Sequence, residues 1–195
     1  MTTQQKYYIK SVNERAHLKL IQEKLPETYD YNLYVTPPEG RDIYDGWLYR
    51  FEKSKSVLKD RTMIEIKVRD KHYTSLLLEW NKYTDLKMLR NSEDRKKNRE
   101  TLVDIKSRLV YVSVTPEGSY WFDLDLLEKD FEWIEEYHNI STTEPGRGKI
   151  MKKITYIDIN KAKKIDVKTG QASDPSKTNQ LILDSKRIKT QGIVF

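Results

Sequence analysis

At 195 residues, with 36 Lys and Arg against 30 Asp and Glu, the chain is long enough for one moderate domain with a sizeable core, and its net charge of +6 favours polyanionic partners. It has no cysteine, which excludes a disulfide framework and thiolate metal sites and fits a reducing, cytoplasmic setting. No apolar run approaches the roughly 18 residues needed to span a bilayer, and the start, Met1 to Lys6, lacks the apolar core of a signal peptide, so a soluble protein with no membrane partner is expected.

The first predicted element is a helix over residues 5–24, stopped by Pro26, since proline cannot continue a helix. Leu18, Ile21 and Leu25 form its apolar stripe, and Glu14, four residues before Leu18, lies on the same stripe and faces whatever the helix covers. Residues 31–35 read as a strand, residues 36–40 as a turn containing Pro37, Pro38 and Gly40, and residues 44–51 as extended chain carrying Asp45. After a polar interval at 53–56, residues 61–70 alternate, with Ile64, Ile66 and Val68 on one side and Glu65, Lys67 and Arg69 on the other. An antiparallel hairpin of these two strands brings Asp45 near Glu65, in a register the sequence leaves open.

Residues 73–89 read as a second helix, from Leu76, Trp80, Tyr83 and Lys87 with Leu77, Leu86 and Leu89 widening the stripe. The charged run 91–100 fits a solvated helix face or mobile loop, or else a flexible basic arm touching a phosphate backbone. Residues 109–114 and 119–124 form a hairpin around Pro116 and Gly118, a short acidic helix is expected over 125–138, and a strand over 149–159. The loop before that strand offers Arg147 and Lys149 to a phosphate, without matching a P-loop or dinucleotide fingerprint. His17, His72 and His138 have no metal-ligand spacing; His17 is expected to flank the first helix's stripe and the other two to sit near helix ends. Domain boundaries are expected at 1–165, with a polar extension over 166–195 whose segments 181–183 and 192–195 could dock as short strands or pair with a second copy, making a homo-oligomer.

Two carboxylates at close range bind a hard divalent cation, and a lysine beside them can orient water or offset charge on a phosphate. Asp45 on one strand and Glu65-x-Lys67 on the next have that composition. The order of a helix with a buried-facing glutamate, an Asp-bearing strand, a Glu-x-Lys strand and a second helix resembles the PD-(D/E)XK nuclease superfamily over roughly residues 8–160. Asp45 departs from the pattern in being preceded by Tyr44 rather than proline. The resemblance implies an α/β (α+β) fold with a central mixed sheet flanked by helices, built on an αβββαβ core with extra strands. It implies metal-dependent phosphodiester hydrolysis, with Mg²⁺ or Mn²⁺ held by Asp45, Glu65 and the carbonyl of Ile66, Lys67 acting on water or the transition state, and Glu14 auxiliary. Lys82 or Tyr83 on the second helix is the polar residue it would aim into the site. Lys82, Arg69, Arg147 and Lys149 are the candidate contacts to nucleic acid, with DNA the expected substrate. The alternatives are a catalytically inactive nucleic-acid-binding module of the same fold, and a structural or adaptor protein of a virus or mobile element.

Overall fold

In the computed structural model, residues 2–38, 42–53, 57–101, 106–140 and 148–171 are described. Helix α1 (Thr3–Glu23) opens on a capping box in which Thr2 and Gln5 satisfy each other's backbone N–H groups. An antiparallel meander follows, of β1 (Tyr29–Val35), β2 (Gly46–Glu52) and β3 (Val57–Val68). The chain then forms β4 (Ser75–Glu79) and α2 (Trp80–Thr101), and returns as β5 (Arg108–Thr115), parallel to β3. A tight hairpin leads to β6 (Gly118–Asp123), where Gly118 adopts a φ of 145°. The remaining elements are α3 (Leu124–Leu127), β7 (Ile134–Asn139), β8 (Lys149–Asp158) and β9 (Lys163–Ile165). Six strands make one mixed sheet in the order β1-β2-β3-β5-β6-β9, and β4-β8-β7 make a second. The fold is therefore mixed α/β, as expected.

The large sheet is buried on both faces. Leu18 and Ile21 of α1 pack on Leu33, Val35, Ile64, Ile66 and Val112, while the other face packs Met63, Tyr111 and Phe122 against Tyr83 and Leu86 of α2 and against Leu76 and Leu78 of β4. Gly46 permits the close seating of α1 and β1, because a Cβ there would stand 2.6 Å from the carbonyl oxygen of Tyr34 and 3.4 Å from Leu18.

Two expected helices are corrected. The segment expected to begin a helix at residue 73 is instead a strand up to Glu79 and helical only from Trp80. In the run Leu76-Leu77-Leu78, residues 76 and 78 point inward and pair with Ile157 and Thr155, so the two-residue period wins over the helical one. The acidic helix over 125–138 is limited to α3 and one turn of 3₁₀ helix, after which β7 pairs with β8. Phe131 and Trp133 end it by packing edge-on into Tyr83 and Trp80. His138 accordingly lies on β7 beside Glu136, and His72 in the β3–β4 connection, neither at a helix end.

Residues 166–171 dock on the domain rather than leaving it: Val167 is 1% exposed, Ser119 donates to its carbonyl at 2.6 Å, and the Thr169 hydroxyl donates to Arg69 O at 2.8 Å. Arg147 and segments 181–183 and 192–195 lie outside the described residues. No helix among the described residues is long and apolar enough to cross a membrane.

Candidate active site

The site forms where β2 parts from β3. Their ladder ends with Gly46 opposite Ile64 and one further bond, from Asp45 N to Ile64 O at 2.8 Å. Beyond it, Ile66 has lost its neighbour on that edge, and its two backbone groups must find side chains. The N–H of Ile66 donates to Asp45 Oδ2 at 2.8 Å, and its carbonyl accepts from Lys67 Nζ at 3.0 Å. A strand divergence thus places an acid and an amine on the two free backbone groups of one residue, Ile66.

Lys67 Nζ stands 2.8 Å from Glu65 Oε1, 3.5 Å from Glu14 Oε1 and 3.9 Å from Asp45 Oδ2. Glu14 arrives from α1, four residues before the buried Leu18, as its place on the stripe required; Asp45 precedes β2, and Glu65 shares β3 with the lysine. The four residues expected to carry chemistry, Glu14, Asp45, Glu65 and Lys67, are therefore brought together, with the carbonyl of Ile66 among them. All three acids are buried, at 4%, 5% and 1% exposure.

Two further cations complete the cluster. Arg15, 3% exposed, holds Asp45 Oδ1 at 2.6 Å, while its Nε donates to Thr36 O at 3.0 Å and its Nη2 to Thr36 Oγ1 at 2.7 Å. Lys82, from the first turn of α2, stands 3.0 Å from Glu65 Oε1 and donates to Ile43 O. Arg15 was missed from sequence, although it lies three residues before Leu18 and so on the buried stripe; an arginine there is normally read as snorkelling outward. Tyr83, the alternative to Lys82, is not in the site: it is a core aromatic against Phe131 and Trp133.

Burial is the main influence on these acids. It pushes Glu65 up to about 7, with Asp45 pushing the same way and Lys67 and Lys82 only partly offsetting. Glu14 is raised for the same reason, with Asp45 adding and Lys67 opposing. Burial acts against the charge of Lys67, but Glu65, Asp45 and Glu14 together outweigh it and hold the ammonium above its ordinary range. Glu14 Oε1 and Glu65 Oε1 accept no well-directed hydrogen bond despite the nearby cations. Buried carboxylate oxygens in that condition retain lone pairs that a divalent ion could use. Among the described residues, no group of three or more His, Cys, Asp or Glu closes on a common point as a ready metal cage; these carboxylates are gathered on an ammonium.

The cluster opens into a cleft of about 440 Å³ lined by Lys10, Lys67, Arg69, Lys82, Tyr73 and Tyr111. Arg69 and Lys82 thus line the same cleft as Glu65. Lys149 does not: it sits exposed on β8, five positions before Ile154, the first residue of β8 that pairs with β4. Comparison with protein-family models, with curated proteins and with solved structures returned no match.

Proposed function

We propose that this chain is a metal-dependent nuclease with a site of the PD-(D/E)XK kind, hydrolysing phosphodiester bonds in nucleic acid, with DNA the expected substrate. The observation that carries the reading is the convergence of Glu14, Asp45 and Glu65, from three separate elements, within 4 Å of Lys67 Nζ at the divergence of β2 and β3. The element order α1-β1-β2-β3-α2-β5, with β4 of the second sheet inserted before α2, is compatible with the core that the resemblance implied.

Asp45, Glu65 and the carbonyl of Ile66 would hold Mg²⁺ or Mn²⁺, which when bound lowers the pKa of a coordinated water and offsets charge on the phosphate. The protein's own groups divide the remaining work. Lys67 keeps its proton across the neutral range because its three acidic neighbours hold it there, so its part is fixed positive charge toward the scissile phosphate rather than proton abstraction. Glu65, whose carboxyl burial pushes up to about 7, would give up its proton on holding a cation. Arg15 fixes Asp45 by one oxygen and leaves Oδ2 turned toward Ile66 and Lys67. Lys10, Arg69 and Lys82 give the cleft the charge to receive a phosphate backbone.

A second reading, the inactive binding module, has one observation in its favour: Arg15 already neutralises Asp45 at 2.6 Å. Cleavage of single-stranded, double-stranded and branched DNA in Mn²⁺, by wild type and Lys67→Ala, separates the two. Cleavage by the wild type and its loss in the variant support the nuclease. DNA binding that weakens as salt rises, without cleavage by either protein, supports the module.

A further inference from the structure

The second sheet is staggered. β8 pairs with β4 from Ile154 to Asp158 and with β7 from Lys149 to Ile154, so its two partners share only Ile154. Over Lys149 to Lys153 the sheet is therefore a two-stranded ribbon, and no residue of β7 is buried. A ribbon of two strands is marginal in water and gains stability from a third.

Both of its faces carry apolar side chains. Tyr137, 66% exposed, stands opposite the exposed Met151 on one face, and Ile134, Ile140 and Ile150 are exposed on the other. The outer edge is open as well. The Ile140 N–H donates to Gly148 O at 3.1 Å, directly across the ladder, so by alternation His138, Glu136 and Ile134 are the other residues bonded to β8. The N–H and carbonyl groups of Glu135, Tyr137 and Asn139 point the other way, and β7 borders no further strand among the described residues. An open edge flanked by apolar side chains is a template for another strand.

The sequence of β7 fits that edge to itself. A second β7, antiparallel across a two-fold axis at Tyr137, sets Glu135 opposite Asn139, Glu136 opposite His138, Ile134 opposite Ile140 and Tyr137 opposite its own copy. In this register the outward backbone groups of Glu135, Tyr137 and Asn139 meet one another, and all of them are satisfied. Glu136 and His138 already lie 3.1 Å apart within one strand, so the symmetric copy interleaves two acids with two imidazoles. An axis at Glu135 would instead set that acid against itself, with Glu136 opposite Ile134.

We infer that the free edge of β7 is the docking site for a second copy of this chain, joining the two three-stranded sheets into one across a two-fold axis at Tyr137. None of the residues involved lines the catalytic cleft, and the contact does not depend on the chemistry proposed there. One six-residue strand from each copy makes a small interface, so the dimer is weak and depends on concentration.

The test is sedimentation equilibrium of the full-length protein between about 1 and 100 µM, the range a weak interface covers. Wild type should pass from monomer to dimer. Tyr137→Pro should stay monomeric throughout, because the N–H it removes faces the open edge and the ladder to β8 keeps its bonds. Asn139→Glu, at an exposed position, should weaken the dimer about tenfold by setting acids opposite one another twice over. The chain has no cysteine, so Tyr137→Cys should form a disulfide-linked dimer under mild oxidant, its copies facing each other with Cα atoms about 5.5 Å apart. Glu135→Cys should not, because its copies lie roughly 14 Å apart along the strands. An unchanged far-ultraviolet circular dichroism spectrum verifies the fold of each variant. A wild type that is monomeric at the top of that range, unaltered dimerisation in either Tyr137→Pro or Asn139→Glu, or equal cross-linking at 135 and 137 overturns the inference.

Discussion

Strand β3 buries charge twice on the same face, at Arg61 and again at Glu65 and Lys67, and the two clusters are built on different accounts. Arg61, 3% exposed, meets one acid, Asp94, at 2.6 Å, and lies 5.2 Å from the Trp47 ring centroid. Asp94 is completed by the backbone N–H and hydroxyl of Ser107. One cation and one partly buried, well hydrogen-bonded acid tie α2 and the start of β5 to the sheet, and within this pair only the Nε of Arg61 is left without a partner. Four residues on, three acids share one small volume with Lys67, Arg15 and Lys82, two carboxylate oxygens accept no directed hydrogen bond, and Glu65 is pushed up to about 7. The first arrangement is what a buried ion pair needs in order to hold a fold together. The second is costly to fold around, and buried groups with shifted protonation concentrate where chemistry is done.

The largest expected effects separate the two ends outright. Lys67→Ala should lower Mn²⁺-dependent cleavage by at least about 10²-fold per folded molecule, the scale of losing one positioned charge-stabilising donor. Cleavage at the wild-type rate in that variant would remove Lys67 from the chemistry. Arg61→Ala should keep the rate per folded molecule and cost about 3 kcal/mol, the low end for breaking a buried pair, because the partly exposed Asp94 retains its Ser107 donors. A small stability loss there, read from urea midpoints, would show that the Arg61 pair is as dispensable as a surface bridge.

Glu65→Gln sharpens the contrast through pH. A carboxyl raised from 4.5 to about 7 keeps a proton in the native state that the unfolded chain has released. Stability from this group therefore falls as pH rises from 4.5 to 7, and the full cost stands above 7. The variant should be more stable than wild type by about 2–3 kcal/mol at pH 8.5, with the difference vanishing near pH 4. Mn²⁺ affinity of the wild type, measured by calorimetry, should rise between pH 6 and 8 as that proton is displaced. A pH-independent difference between the two proteins would mean that the Glu65 carboxyl titrates alike in the native and unfolded states and is not raised by burial. The smallest effect is expected for Gly46→Ala, where the new methyl meets Tyr34 O; a cost of about 1–3 kcal/mol with weaker Mn²⁺ binding would show that the seating of α1 sets the place of Glu14.

Much of the site was readable in the chain before any fold was known, because local periodicity is a property of neighbours. The alternation from Ile64 to Arg69 put Glu65 and Lys67 on one face, and the spacing of Glu14 to Leu18 put an acid on a buried stripe. The β5–β6 hairpin followed from Pro116 and Gly118 in the same way. Segments with two competing periods were not readable: Leu76 to Leu78 suits helix or strand until Ile157 and Thr155 are there to pair with it, and β7 exists only because β8 lies beside it.

What the sequence by itself determined, then, is which residue types share a face, since that depends only on φ and ψ repeating along a few residues. What the tertiary structure decided is that β2 leaves β3 at Asp45, that Arg15 grips one oxygen of that acid, and that Lys82 reaches Glu65 across the cleft. Those contacts join residues tens of positions apart, and their distances come from how helices seat on a sheet, which no local pattern encodes.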